Sequence, residues 1–183
     1  MTKFSSEVYL VRHGQASFGG VNYDQLSSKG EHQSKLLGAH WKGNLSINSV
    51  YAGYLERHLQ TFNSFKLGYG NPNLSLIRSV GFNEFDHEDI LACYDNKWKD
   101  FARMIDSLNH SATPKNLLMN EFLCALERWM SGTYANEYKE SYFAFKTRCS
   151  RAFQQLVSQV QSNSGENRNI CIFTSGGTIA SII

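Results

Sequence analysis

Apolar positions first gather at Val8-Tyr9-Leu10-Val11, four aliphatic, aromatic or β-branched residues in a row, which predicts a short buried strand. Ile47-Asn48-Ser49-Val50-Tyr51 and Ser75-Leu76-Ile77-Arg78-Ser79-Val80 predict two more strands, and Asn169 to Thr174 predicts the last. Between them the spacing is helical. Ser28-Lys29-Gly30-Glu31 has capping-box spacing with Ser28 as N-cap. It predicts a helix to Trp41, with Leu36, Leu37, His40 and Trp41 on or near its buried side and Gly43-Asn44 ending it. From Leu55 to Lys66, Leu55, Leu59, Phe62 and Phe65 recur at helical intervals, and Gly68 to Asn73 is turn-rich. Phe82 to Thr133 is rich in aromatics and reads as helices only, over Ile90–Leu108 and Lys115–Met130. Glu137 to Gln161 predicts a long amphipathic helix, Ser162 to Arg168 a solvated loop, and Gly176 the start of a final helix.

Strands alternating with helices predict an α/β fold, a mostly parallel central sheet flanked by helices. The expected organisation is one domain over 1–183, with a helical insertion at about 82–133 beside the sheet, near the candidate ligand site. That insertion is either a lid or a plain helical layer. The apolar end Ile179-Ala180-Ser181-Ile182-Ile183 reads as a core face cut short, so the last helix is expected to be truncated.

Composition narrows the function classes. A chain of 183 residues can bury a sizeable core. The net charge of +2 carries no basic run, so nucleic acid is not an expected partner. No apolar run is long enough to span a bilayer, and residues 1–7 lack the apolar region of a signal peptide, so a cytoplasmic location is expected. Cys93, Cys124, Cys149 and Cys171 are widely spaced and read as free thiols.

The chemistry begins where the first strand runs into Arg12-His13-Gly14. The carboxyl end of a strand is where open α/β sheets place ligands. Arg12 offers a fixed fork of charged donors, His13 a nucleophilic nitrogen, and Gly14 a close backbone approach. The tripeptide alone also reads as an ordinary surface turn.

Four stretches in order resemble the histidine phosphatase superfamily, the phosphoglycerate mutase-like proteins. They are Leu10-Val11-Arg12-His13-Gly14, Asp24-Gln25-Leu26-Ser27-Ser28-Lys29-Gly30, Tyr54-Leu55-Glu56-Arg57-His58-Leu59-Gln60-Thr61, and Asn83-Glu84-Phe85. Ile172-Phe173-Thr174-Ser175-Gly176-Gly177 matches a fifth in position. The resemblance implies a phosphomonoesterase that needs neither metal nor cofactor and works through a phosphohistidine on His13. Arg12 and Arg57 would bind the transferring phosphoryl group, and Glu84 would be the proton donor, with Glu88 its rival. Substrates would be a phosphorylated small molecule or a phosphoprotein.

Two departures matter. The family's second histidine is Ser175 here, a neutral donor in place of a cation, which predicts a slower enzyme. The Gly176 and Gly177 N–H groups would still offer phosphate donors, and His87 is proposed as an auxiliary cation. His32, His40, His58 and His110 read as ordinary helix or loop residues. Ala16 and Gly19 stand where mutase-like members carry a hydroxyl residue and an asparagine. They favour a phosphatase over a phosphoglycerate mutase. The other reading is a phospho-ligand-binding protein with weakened catalysis, which Ser175 favours.

Overall fold

The computed structural model describes residues 6–17, 24–110, 113–162 and 168–183. Among these residues four strands form one sheet: β1 (Glu7–Arg12), β2 (Ser49–Ala52), β3 (Leu76–Arg78) and β4 (Asn169–Thr174). All pairs are parallel, in the order β1-β4-β2-β3. The helices described are α1 (Ser28–Trp41), α2 (Glu56–Tyr69), α3 (His87–Tyr94), α4 (Phe101–Asn109), α5 (Pro114–Met130), α6 (Tyr142–Ser162) and α7 (Gly176–Ile182). The predicted α/β class and parallel sheet are therefore present. Among the described residues no helix is long and apolar enough to cross a membrane.

The chain divides into two compact units, one of residues 1–84 with 148–183 and one of residues 85–147. The first holds the sheet. Along β4 successive side chains alternate between its faces, as strand geometry requires. Cys171 and Phe173 join Val50, Ala52, Phe62 and Phe65 on one face, with Leu37 and Trp41 packed beside them. Ile170 and Ile172 join Phe82 and Leu156 on the other, with Phe153, Val160 and Ile182 against them. In the second unit, Phe85 packs on Trp129 and Phe145, and Trp129 on Tyr142, with ring centroids 5.1, 5.5 and 5.1 Å apart.

Several expected boundaries move. The cap of α1 is Ser27, not Ser28: its Oγ accepts from the Gly30 N–H at 3.2 Å. The buried side of α1 is Gly30, Ser34 and Gly38, while Leu36 is 55% exposed and His40 is exposed. Small residues win this face because α1 and α2 touch backbone to backbone. A Cβ on Gly38 would lie 2.1 Å from the Phe65 carbonyl oxygen, and one on Gly68 would lie 2.0 Å from that of Lys35. Helix α2 correspondingly runs three residues past Lys66, through Gly68, to a left-handed cap at Gly70.

The expected helix over 90–108 is broken in two. Asp95 accepts from the Lys97 N–H and Asp100 from that of Arg103, both at side-chain oxygens. Each aspartate draws the backbone out of the preceding helical path and caps the turn or helix after it. The helix expected from Glu137 starts at Tyr142, where the Ser141 hydroxyl accepts from the Ala144 N–H. The four cysteines are free, with Cys149 and Cys171 buried.

The glycine contact makes a direct prediction. Gly38→Val should destabilise the protein by about 1–3 kcal/mol, the usual cost of overpacking. The exposed neighbour Leu36→Ser should shift it by less than about 0.5 kcal/mol. Urea unfolding midpoints measure both, and equal midpoints for the two variants would refute the close helix contact.

Candidate active site

The site is built on the carboxyl ends of β1 and β4, which lie side by side with Arg12 opposite Thr174. The His13 N–H donates to the Thr174 carbonyl at 2.9 Å, which continues the ladder one residue past the strand. The next residue is held from another element: the Gly14 N–H donates to Thr61 Oγ1 on α2 at 3.1 Å. A side chain at Gly14 would meet the Gly30 carbonyl oxygen at 2.3 Å, so the turn presses against the start of α1. This is why the position is glycine.

Helix α2 spends its Arg-x-x-Gln-Thr segment on this loop. Besides Thr61 on Gly14, Gln60 Oε1 accepts from the Leu26 N–H at 2.7 Å. Arg57 is 6% exposed, and its Nη1 pairs with Asp24 Oδ1 at 2.7 Å. Asp24 also accepts from the Glu56 N–H at 2.8 Å, so it caps α2 from outside the helix. A carboxylate there suits the positive end of the helix dipole. Asp24 belongs to one of the matched stretches, but no role for it is expected from the sequence. Its pairing with the α2 N-terminus depends on the fold, because 32 residues separate it from Glu56.

His13 has one ring nitrogen committed. Nδ1 lies 2.7 Å from the Gly14 carbonyl oxygen. A carbonyl only accepts, so Nδ1 carries the proton and Nε2 keeps its lone pair. Burial is the main force pushing the imidazole pKa down to about 4, and the Arg57 and Arg12 charges add to it against the opposing Gly14 bond and Asp24 charge. His13 is therefore neutral at pH 7.

Glu84 closes the other side of the β4 end. Its Oε2 accepts from the Gly177 N–H at 2.8 Å. Neighbouring Asn83 is fixed by Thr178 Oγ1 and Arg148 Nη1, which donate to its carbonyl at 2.9 and 3.1 Å. The Gly177 N–H, expected from the sequence to offer a phosphate donor, is donated to Glu84 in this structure. Gly176 lies beside Arg12, whose guanidinium carbon would be 3.8 Å from a Cβ there. Glu88 and His87 stand on α3 in the second unit, where the His87 ring packs edge-on against Phe101. Ala16 forms an isolated antiparallel bridge with Leu26, and Gly19 falls outside the described residues.

One expectation is overturned. His58 is not an ordinary helix residue. It is fully buried, its ring centroid lies 5.8 Å from that of His13, and its Nε2 is 2.7 Å from Ser175 Oγ. Ser175 is itself 1% exposed. The signal in the sequence is spacing: His58, Thr61, Phe62 and Phe65 fall at i, i+3, i+4 and i+7, the buried face of α2.

Solved structures share this fold at low sequence identity. A phosphoglycerate mutase from Bacillus anthracis str. Sterne superposes with a TM-score of 0.63 at 16% identity, covering 96% of this chain and 77% of that one. An alpha-ribazole phosphatase from Shigella flexneri gives 0.58 at 19%, covering 94% and 75%. A mycobacterial glucosyl-3-phosphoglycerate phosphatase gives 0.60 at 18%, again covering 94% and 75%. No curated protein sequence matches the chain. The family model of the histidine phosphatase superfamily (branch 1) matches residues 8–103, more than half of the chain. Arg12-His13-Gly14 and Arg57 both lie inside that match, and the chain belongs to the histidine phosphatase superfamily.

Proposed function

We propose that the protein is a phosphomonoesterase that forms a phosphohistidine on His13. The observation that carries this reading is the tautomer of His13, neutral with its proton held at Nδ1 by Gly14 and its Nε2 lone pair uncommitted to that bond. In the first step Nε2 forms a bond to phosphorus as the ester P–O bond breaks. Glu84 gives its proton to the leaving oxygen. In the second step water attacks phosphorus, Glu84 takes the proton back, and the P–N bond breaks to release phosphate. Arg12 and Arg57 hold the phosphoryl oxygens, where charge-assisted bonds are strongest. Asp24 keeps the Arg57 fork oriented in the absence of substrate. Ser175 is a neutral donor at the same strand end. Loss of a strong donor costs about 10²–10³ in rate, so turnover is slow rather than absent.

The fold is shared with phosphatases and with a mutase. Ala16, without a hydroxyl, favours hydrolysis over return of the phosphoryl group to a second site. A small phosphorylated metabolite or a phosphoprotein is the proposed substrate class. Ser175 also suits a phospho-ligand binder, but such a protein has no use for a neutral, oriented nucleophile.

Phosphate release from 4-nitrophenyl phosphate should fall by at least about 10³-fold in His13→Ala. Equal release by the folded variant and the native protein would exclude His13 as nucleophile, and no release by either would favour the binder. A second expectation concerns pH. With its pKa lowered to about 4, His13 stays deprotonated from alkaline pH down to about 5. Its ring resonances in the free protein should therefore titrate near pH 4, and a midpoint near the ordinary 6.5 would remove the neutral nucleophile from the mechanism.

A further inference from the structure

His58 and Ser175 face each other in the interior. His58 comes from the buried face of α2, Ser175 from the residue after β4, and both are buried in the free protein. Their 2.7 Å contact is one hydrogen bond that can run in either direction. The other ring nitrogen decides between them. His58 Nδ1 is buried and has no hydrogen-bond partner among the described residues. An N–H stranded there is the costlier arrangement, since buried unpaired N–H groups are rarer in proteins than unfilled acceptors. The ring is neutral at pH 7, because burial first, then the charge of Arg57, that of His13 once it protonates in acid, and that of Arg78 press its pKa down to about 3. Its single proton therefore sits on Nε2 and is donated to Ser175 Oγ. Ser175 then accepts, which leaves its own hydroxyl hydrogen to be donated elsewhere.

We propose that His58 is a positioning residue for Ser175, and that the pair together does the work of the imidazole absent from the end of β4, with the Ser175 hydroxyl donating to a phosphoryl oxygen when substrate is bound. This rests on the phosphatase reading and deepens it at the same site. His58 is placed for the task by its neighbours. Arg57, one residue before it, is the phosphate arginine, and His13 is 5.8 Å away ring to ring. Space is reserved for the imidazole as well: a Cβ on Gly53 would stand 2.5 Å from Nδ1. A hydroxyl that already accepts a hydrogen bond is the better donor, because linked bonds polarise one another. The pair thus recovers part of what a lone serine lacks, without placing a cation beside Arg57.

The test is a mutant cycle on the full chain with 4-nitrophenyl phosphate: His58→Leu, His58→Gln, Ser175→Ala, and His58→Leu combined with Ser175→Ala. Ser175→Ala and His58→Leu should each lower kcat about ten- to a hundredfold with KM changed less than about threefold, and the double variant should be no worse than either. His58→Gln, whose amide still donates, should recover most of kcat. Multiplying losses in the double variant, or a Gln variant as poor as Leu, would overturn the proposal. So would native kcat in Ser175→Ala, which needs no change at His58 and holds even if His58→Leu does not fold. Ring nitrogen shifts of His58 should show the Nε2–H tautomer, and the Nδ1–H tautomer would also overturn it. If the native protein shows no His13-dependent hydrolysis, the phosphatase reading fails separately. The pair is then judged by calorimetric binding of inorganic phosphate, which Ser175→Ala and His58→Gln should weaken by different factors, large and small; unchanged affinity in Ser175→Ala would end the proposal.

Discussion

The parallel pairing of β1 with β4 is the constraint on which the site depends. It sets Arg12 opposite Thr174, and the Thr174 carbonyl takes the His13 N–H just beyond the ladder. One register therefore fixes the start of the Arg12-His13-Gly14 turn and the start of the Ser175-Gly176-Gly177 turn together. A shift of one residue would turn every side chain of β4 to the wrong face and break both at once. The core defends that register, with Cys171 and Phe173 buried on one side of the sheet and Ile170 and Ile172 on the other.

Helix α2 supplies the second fixed point. Its close approach to α1 needs glycine at positions 38 and 68, and its own residues reach outward to the loops. Thr61 holds Gly14, Gln60 holds Leu26, Arg57 meets Asp24, and His58 meets Ser175. Four neighbouring side chains on one helix thus tie down the Arg12-His13-Gly14 turn, the first loop and the end of β4. Such a shell, made before any ligand arrives, suits phosphoryl transfer, because that chemistry depends chiefly on position and charge.

Much of this is legible in the chain. The apolar run of β1, the bounds of β4 and the Gly176 helix start follow from local pattern, because both strands carry unbroken apolar runs and each ends in a turn signal. Boundaries fail where polar side chains outvote apolar periodicity: Asp95 and Asp100 split one expected helix, and Ser141 delays another. The buried side of α1 is half legible: Leu37 and Trp41 pack on the core as expected, but the contact with α2 buries glycine and serine, which hydropathy does not register. The burial of His58 against Ser175 is hidden for a related reason. Its partner lies 117 residues away, and only the topology of the sheet brings β4 to α2. Read alone, Ser175 is a small polar residue before a glycine turn; its 2.7 Å contact with His58 Nε2 appears only in the fold.

The central claim is that His13 Nε2 is where the phosphoryl group lands. The most direct measurement is to mix the native protein with 4-nitrophenyl phosphate, quench in base within the first turnover, and map the attached phosphate by mass spectrometry with NMR of the modified ring. Phosphate is predicted on His13 at Nε2, appearing before free phosphate and decaying with its release. Phosphate release without any phosphohistidine, or phosphate attached to another residue, would contradict the claim.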